Sequence, residues 1–182
     1  MKIVPPYLGE IIVYDVGRNR QKMATKGIFH AVEPSGRLLV PADRRRILTG
    51  DTVVAFVNDL DPFHPLLLME PNQQEGWLNG LRSLLRRLKR SAREVSAIVS
   101  GIEERAVLRR FDPSGRITLP PEMLGEAGIT DNAVIVGSVS IKLLSPESWK
   151  NRQAEREGII QELSWDERMA LLDIPTQEGF GG

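Results

Sequence analysis

Two arginines in this chain stand at the same place in the same short phrase. Val32–Pro41 reads VEPSGRLLVP and Phe111–Pro120 reads FDPSGRITLP, so Arg37 and Arg116 each follow Pro-Ser-Gly and precede an apolar run closed by proline. A guanidinium is a planar, permanently charged fork that can grip a phosphate or the edge of a guanine with two parallel hydrogen bonds. An acid stands four residues before each arginine, Glu33 in the first phrase and Asp112 in the second. A carboxylate there is expected to hold its arginine's rotamer before contact, which lowers the ordering cost of binding. Glutamate has more rotamers to freeze and caps a turn less well than aspartate, so the first copy is expected to be the weaker. A lone copy would be read as a hairpin corner with its arginine paired to the acid across it. Two identical Pro-Ser-Gly-Arg runs weaken that reading, since many other residues would close the same corner.

Further cations gather near these turns. Arg109 and Arg110 enter the second, while Arg44, Arg45 and Arg46 follow Pro41, where the second phrase is followed instead by Glu122 and Glu126. The candidate polyanion-binding set is Arg37, Arg116, Arg44, Arg45 and Arg110, with Glu33, Asp112, Gly36 and Gly115 supporting the turns. Catalytic chemistry finds no comparable footing. The chain has no cysteine, and its two histidines, His30 and His64, lie far apart with no matched acidic pair. There is no nucleophile–base pair, phosphate loop or ligand cluster, so an enzyme, a metal site and a cofactor are not expected.

The elements that must present the arginines follow from the same phrases. Proline presets φ at the second turn position and glycine supplies the left-handed corner. With apolar runs on either side, each phrase reads as a hairpin. The closing proline suits the first turn of a helix, so short helices are expected at Ala42–Leu48 and Pro121–Ala127, with Gly50 and Gly128 as stops. Paired apolar runs then complete each unit: Val53–Val57 with Leu66–Met69, and Ala133–Gly137 with Ser140–Leu144. A doubled unit at half the chain's spacing marks an internal repeat. Between the copies, Trp77, Leu78, Leu81, Leu84, Leu85 and Leu88 form a helical stripe. Ser91 and Glu94 make a capping box that opens a second helix carrying Val95, Ile98, Val99 and Ile102. Arg82, Arg86, Lys89 and Arg93 are expected along the opposite side of the first helix, as a solvated face, a protomer contact or a second phosphate-facing surface. Ser145-Pro146-Glu147 starts a further helix.

In its order of strand, acidic turn with arginine, strand, proline, short helix and two more strands, done twice, the chain closely resembles the MraZ family of bacterial DNA-binding regulators. That family is related to the AbrB-type swapped-hairpin transcription factors. Its Asp-x-x-x-Arg signature is matched by Asp112 and Arg116, and by Glu33 and Arg37 with a longer acid. The resemblance covers roughly Gly27 to Trp149; Ser35 and Ser114 stand where the family often has lysine. It implies an α+β fold in which two tandem hairpin repeats form a double-split, swapped-hairpin barrel. The implied organisation is an N-terminal arm at 1–26, repeats at 27–71 and 102–149, a helical linker at 72–101 and a C-terminal helical segment and tail at 150–182. It also implies that Arg37 and Arg116 contact double-stranded DNA, at repeated promoter boxes before the protein's own division and cell-wall operon, within a ring-shaped homo-oligomer. A ring-forming scaffold that has lost DNA binding, or another AbrB-type binder of antitoxin kind, would carry the same fold.

Composition bounds these expectations. The net charge is zero, which hides a segregation: residues 1–50 hold nine bases against four acids, 76–110 nine against three, and 151–182 three against seven. A nucleic-acid site needs only a local positive field. No apolar run approaches membrane-spanning length and no signal-peptide pattern opens the chain, so no membrane partner is expected and the cytoplasm is the default setting. The resemblance implies association with the nucleoid, and with no catalytic groups in view no small-molecule substrate is expected.

Overall fold

Alternating apolar runs, left-handed glycines and proline-started helices build an α+β fold. A computed structural model describes residues 27–137 and 140–164. The N-terminal arm at 1–26 and the tail from 165 onward lie outside the described residues. The first repeat contributes β1 (Ile28–Ala31), β2 (Arg37–Leu39), α1 (Ala42–Arg45), β3 (Thr52–Val57) and β4 (Leu66–Met69). Two linking helices follow, α2 (Pro71–Arg87) and α3 (Ala92–Arg105). The second repeat gives β5 (Val107–Arg110), β6 (Arg116–Thr118), α4 (Pro121–Glu126), β7 (Asn132–Val136) and β8 (Ile141–Leu144), before α5 (Pro146–Glu162).

Six strands form one antiparallel sheet in the order β1-β7-β8-β4-β3-β5, and β2 pairs with β6 as a separate ribbon. Exchanging the two repeats maps this order onto itself, so a pseudo-twofold axis runs between β8 and β4. The expected pairs β3–β4 and β7–β8 are formed. The expectation of a full hairpin across each turn needs correction. The turns close, with Gly36 N–H donating to the Glu33 carbonyl and Gly115 N–H to that of Asp112, both at 2.8 Å. Beyond the single bridge between Val32 and Leu38, however, the first strand of each repeat leaves its neighbour and pairs with the other repeat, β1 on β7 and β5 on β3. Period-two alternation fixes which face a strand buries and leaves its partner open.

The sheet has a core on each face. Val53, Ala55, Val57, Leu66, Leu68, Ile135 and Leu143 pack beneath the ribbon's Leu38 and Ile117 and α4's Met123 and Leu124. Val54, Phe56, Leu67 and Met69 point the other way and are covered by α2 and α3 through Leu78, Leu85, Val95, Val99 and Ile102. Phe56 meets Trp77 with ring centroids 5.2 Å apart, a tilted aromatic contact. Near the other end of the sheet Val134, Val136 and Leu144 pack against Trp149 of α5. Each fully buried Leu, Ile or Phe contributes about 1.5–3 kcal/mol, so the β2–β6 ribbon is fixed mainly by its inward pair.

Helix boundaries follow the local chemistry, with exceptions. Ser91 accepts from Glu94 N–H and donates to its carboxylate, and Ser145 accepts from Ser148 N–H, both at expected starts. Helix α1 is shorter than expected, ending at Arg45, and Gly50 is no left-handed stop, whereas Gly128 is, at φ 67°. The four-cation stripe is also corrected. Helix α2 ends at Arg87, Lys89 lies in the reversal, and Arg82 turns toward α3 to bond Glu103 at 3.1 Å.

Candidate nucleic-acid interface

The ribbon's register decides where the two arginines point. Arg37 lies opposite Thr118, Leu38 opposite Ile117 and Leu39 opposite Arg116. Leu38 and Ile117 are each 1% exposed, so by alternation Arg37, Leu39, Arg116 and Thr118 share the outer face. Arg37 and Arg116 are diagonal neighbours there, a relation that sets Cα atoms roughly 7–8 Å apart. Around them opens a groove of about 570 Å³, lined by Ser35, Arg37, Arg109, Arg110, Asp112, Arg116, Thr118, Leu119, Pro120 and Pro121. Four guanidinium groups line it against one carboxylate.

That carboxylate ties the repeats together. Arg37 donates from Nη2 to Asp112 Oδ2 at 2.6 Å, while Asp112 Oδ1 accepts the backbone N–H groups of Ser114 at 2.9 Å and Arg116 at 2.8 Å. The Arg116 amide, and then the Arg37 guanidinium, hold the Asp112 carboxyl below its usual range. The hydrogen bond from Arg37 to Asp112 correspondingly raises the Arg37 pKa. The expected pairing of each acid with its own arginine is therefore corrected. Asp112 supports its own turn through the backbone and the other repeat's arginine through its charge. Glu33 makes no side-chain hydrogen bond or ion pair among the described residues, nor does the guanidinium of Arg116. Arg37 is thus the tethered cation and Arg116 the open one.

Both turn glycines are required twice over. Gly36 and Gly115 sit at φ 80° and 83°, where L side chains are strained. A Cβ at Gly115 would lie 2.5 Å from Arg45 Cζ, and one at Gly36 would collide with the Leu119 carbonyl. Arg45 donates from Nε to the Val40 carbonyl at 3.0 Å and lies 6.0 Å from the Phe111 ring centroid. It reaches from the first repeat to brace the second turn, which places it behind Gly115 as a bracing residue. Arg44 is corrected outright as an outward cation. It is 7% exposed and donates to the Gly137 carbonyl at 3.1 Å, pinning α1 to the end of β7. Arg110 is exposed and reaches Asp51 at 2.7 Å, and its hydrogen bond lowers the Asp51 pKa.

Some groove members were outside the expected set. Arg109 is one strand position from Arg110, yet both line the groove. Thr118 could have been found from the inward placement of Leu38 and Ile117. Among the described residues no cluster of His, Asp or Glu could hold a metal ion, and no helix is long and apolar enough to cross a membrane.

No family model matches the chain. Curated relatives do, over most of their length. The transcriptional regulator MraZ of Thermomicrobium roseum is 31% identical over 140 residues, covering 74% of this chain and 93% of the relative. That of Natranaerobius thermophilus is 30% identical over 147 residues, covering 80% and 95%. That of Escherichia fergusonii is 28% identical over 140, covering 76% and 89%. These relatives are named regulators and not enzymes. Alignments of such length and identity, falling on a chain with two fused copies of one turn-and-strand unit, place it: it belongs to the MraZ family of transcriptional regulators.

Proposed function

We propose that the chain is a DNA-binding transcriptional regulator that meets duplex DNA with the outer face of the β2–β6 ribbon. One observation carries this reading: Arg37 and Arg116 share one exposed face and line one groove with Arg109 and Arg110, against a single carboxylate. Arg116, unpaired, makes the first contact with a phosphate or guanine edge; Arg37 exchanges Asp112 for DNA. Arg109 and Arg110 hold the flanking backbone, and Leu39 and Thr118 lie toward the bases. The sheet and ribbon then form the double-split, swapped-hairpin barrel of the AbrB and MraZ type, a view supported by the exchange of β1 and β5 between repeats.

A single ribbon offers few phosphate contacts, which gives weak and salt-sensitive binding. Useful affinity comes from several protomers in a ring engaging repeated promoter boxes together, through effective concentration. The boxes would lie before the protein's own division and cell-wall operon, in the cytoplasm at the nucleoid.

The test is a mobility shift with a duplex of the protein's own upstream region. The wild type shifts it at low salt, and Arg116→Ala loses tenfold or more in affinity, roughly the worth of one bidentate contact, with an unchanged melting curve. No wild-type shift at any salt leaves a scaffold of the same fold. A shift indifferent to sequence points to a general DNA binder.

A further inference from the structure

Residues 86–93 read Arg-Arg-Leu-Lys-Arg-Ser-Ala-Arg, five cations and no acid in a chain of zero net charge. They span the end of α2, the reversal at 88–91 and the start of α3, and all eight are exposed. Arg90 pairs with Glu94 at 3.2 Å. Arg86, Arg87, Lys89 and Arg93 have no carboxylate partner among the described residues. Four uncompensated charges so close repel one another and focus a positive field at the tip.

The backbone there adds a second observation. Lys89 N–H donates to the Arg86 carbonyl at 2.9 Å and Arg90 N–H to that of Leu85 at 3.0 Å. This is the Schellman ending, whose left-handed position glycine usually fills. Lys89 fills it here, at φ 58°. A side chain raises the energy of that conformation, so the tip displays an ammonium group where glycine would fold better.

The third observation is placement. Along β3, Val53, Ala55 and Val57 face the ribbon's core while Val54 and Phe56 face α2 and α3. The helical hairpin and the ribbon therefore lie on opposite sides of one sheet. We infer that the tip of the α2–α3 hairpin is a second phosphate-binding surface, which takes a duplex separate from the one on the ribbon. Two such faces on one protomer would bridge DNA segments. The inference goes beyond the ribbon reading and is judged apart from it.

The test begins with beads carrying the upstream duplex and loaded with wild-type protein, to which a fluorescent duplex of unrelated sequence is added at low salt. The wild type recruits it. The R86Q/R87Q/K89Q/R93Q protein stays on the beads and recruits at least about tenfold less, with a salt slope shallower by about three to four, the loss expected for four phosphate contacts. Equal recruitment by both proteins overturns the inference and means that a second ribbon in the assembly holds the added duplex. Capture of phosphatidylglycerol vesicles in place of duplex overturns it in favour of a lipid surface. Independently of the ribbon, R37Q/R116Q protein should retain weak binding of any duplex, and adding the four tip substitutions should erase it. Residual binding untouched by them overturns the inference even if the ribbon binds nothing. K89G alone should melt higher by about 2–4 °C and yet recruit less, opposite signs that a merely structural lysine would not give.

Discussion

Asp112 works on both repeats at once, as acceptor for its own turn's amides and as counter-ion for the other repeat's Arg37. These roles separate in Asp112→Asn, since an asparagine oxygen still accepts the Ser114 and Arg116 N–H groups. The charge alone is removed, and Arg37 is released into the groove. Binding at low salt should tighten, the salt slope should steepen by about one, and discrimination against unrelated DNA should fall. Titrations at several salt concentrations read all three. Weaker binding with an unchanged slope would mean instead that the carboxylate serves to aim Arg37. Glu33 has no equivalent task, which is the physical content of the longer acid in the first turn. It is the unpaired Arg116, not Arg37, that this asymmetry leaves open.

At the scale of elements, the start of α2 shows how a repeat can hide in unlike residues. Glu70 precedes Pro71 as Ser145 precedes Pro146, and both are buried. Glu70 Oε1 accepts from the Thr49 N–H, from Thr49 Oγ1 at 2.6 Å and from the Gly50 N–H at 3.1 Å, while its own N–H donates to Gln73. The Thr49 hydroxyl and amide pull the Glu70 carboxyl below its ordinary 4.5. A carboxyl depressed in the folded state adds stability that is present above its unfolded value and lost as pH falls through the folded one. Glu70→Gln should therefore unfold at lower urea than the wild type near neutral pH, with the gap closing as the pH drops below 4.5. A gap constant with pH would assign the loss to shape alone. The Ser145 start was legible because Ser-Pro-Glu is a familiar cap, and so was the Ser91 box. The Glu70 start was not, since its carboxylate turns away from the helix to the Thr49 and Gly50 amides, and Gln73 reaches back to the Glu70 N–H instead. The strands β3, β4, β7 and β8 were likewise legible from their apolar runs, as was the doubled turn that locates Arg37 and Arg116. What alternation could not supply was partnership: β1 with β7, β5 with β3, and with them the reach of Asp112 to Arg37. Nor could it tell that, of three adjacent arginines, Arg44 is buried and Arg45 braces Gly115.

For the whole molecule, those exchanged partners make the repeats dependent on one another. Within a repeat only β3–β4 or β7–β8 is self-paired; β1, β2, β5 and β6 find their ladders across the pseudo-twofold axis. A lone repeat would keep one two-stranded hairpin, which is marginal in water. It would also expose the undersides of Leu38 or Ile117, the residues that turn the arginines outward. The α2–α3 reversal, by contrast, is a surface crossing that the sheet does not need for its register. Residues 1–90 and 91–182 expressed as two chains should therefore copurify as one complex, melt cooperatively together and retain the upstream duplex. Each half alone should show no cooperative transition. A half that folded by itself with its full strand content would mean that the repeats are separate domains joined by α2 and α3. In that case the groove between Arg37 and Arg116 would be adjustable instead of fixed, and its spacing could not by itself select a DNA sequence.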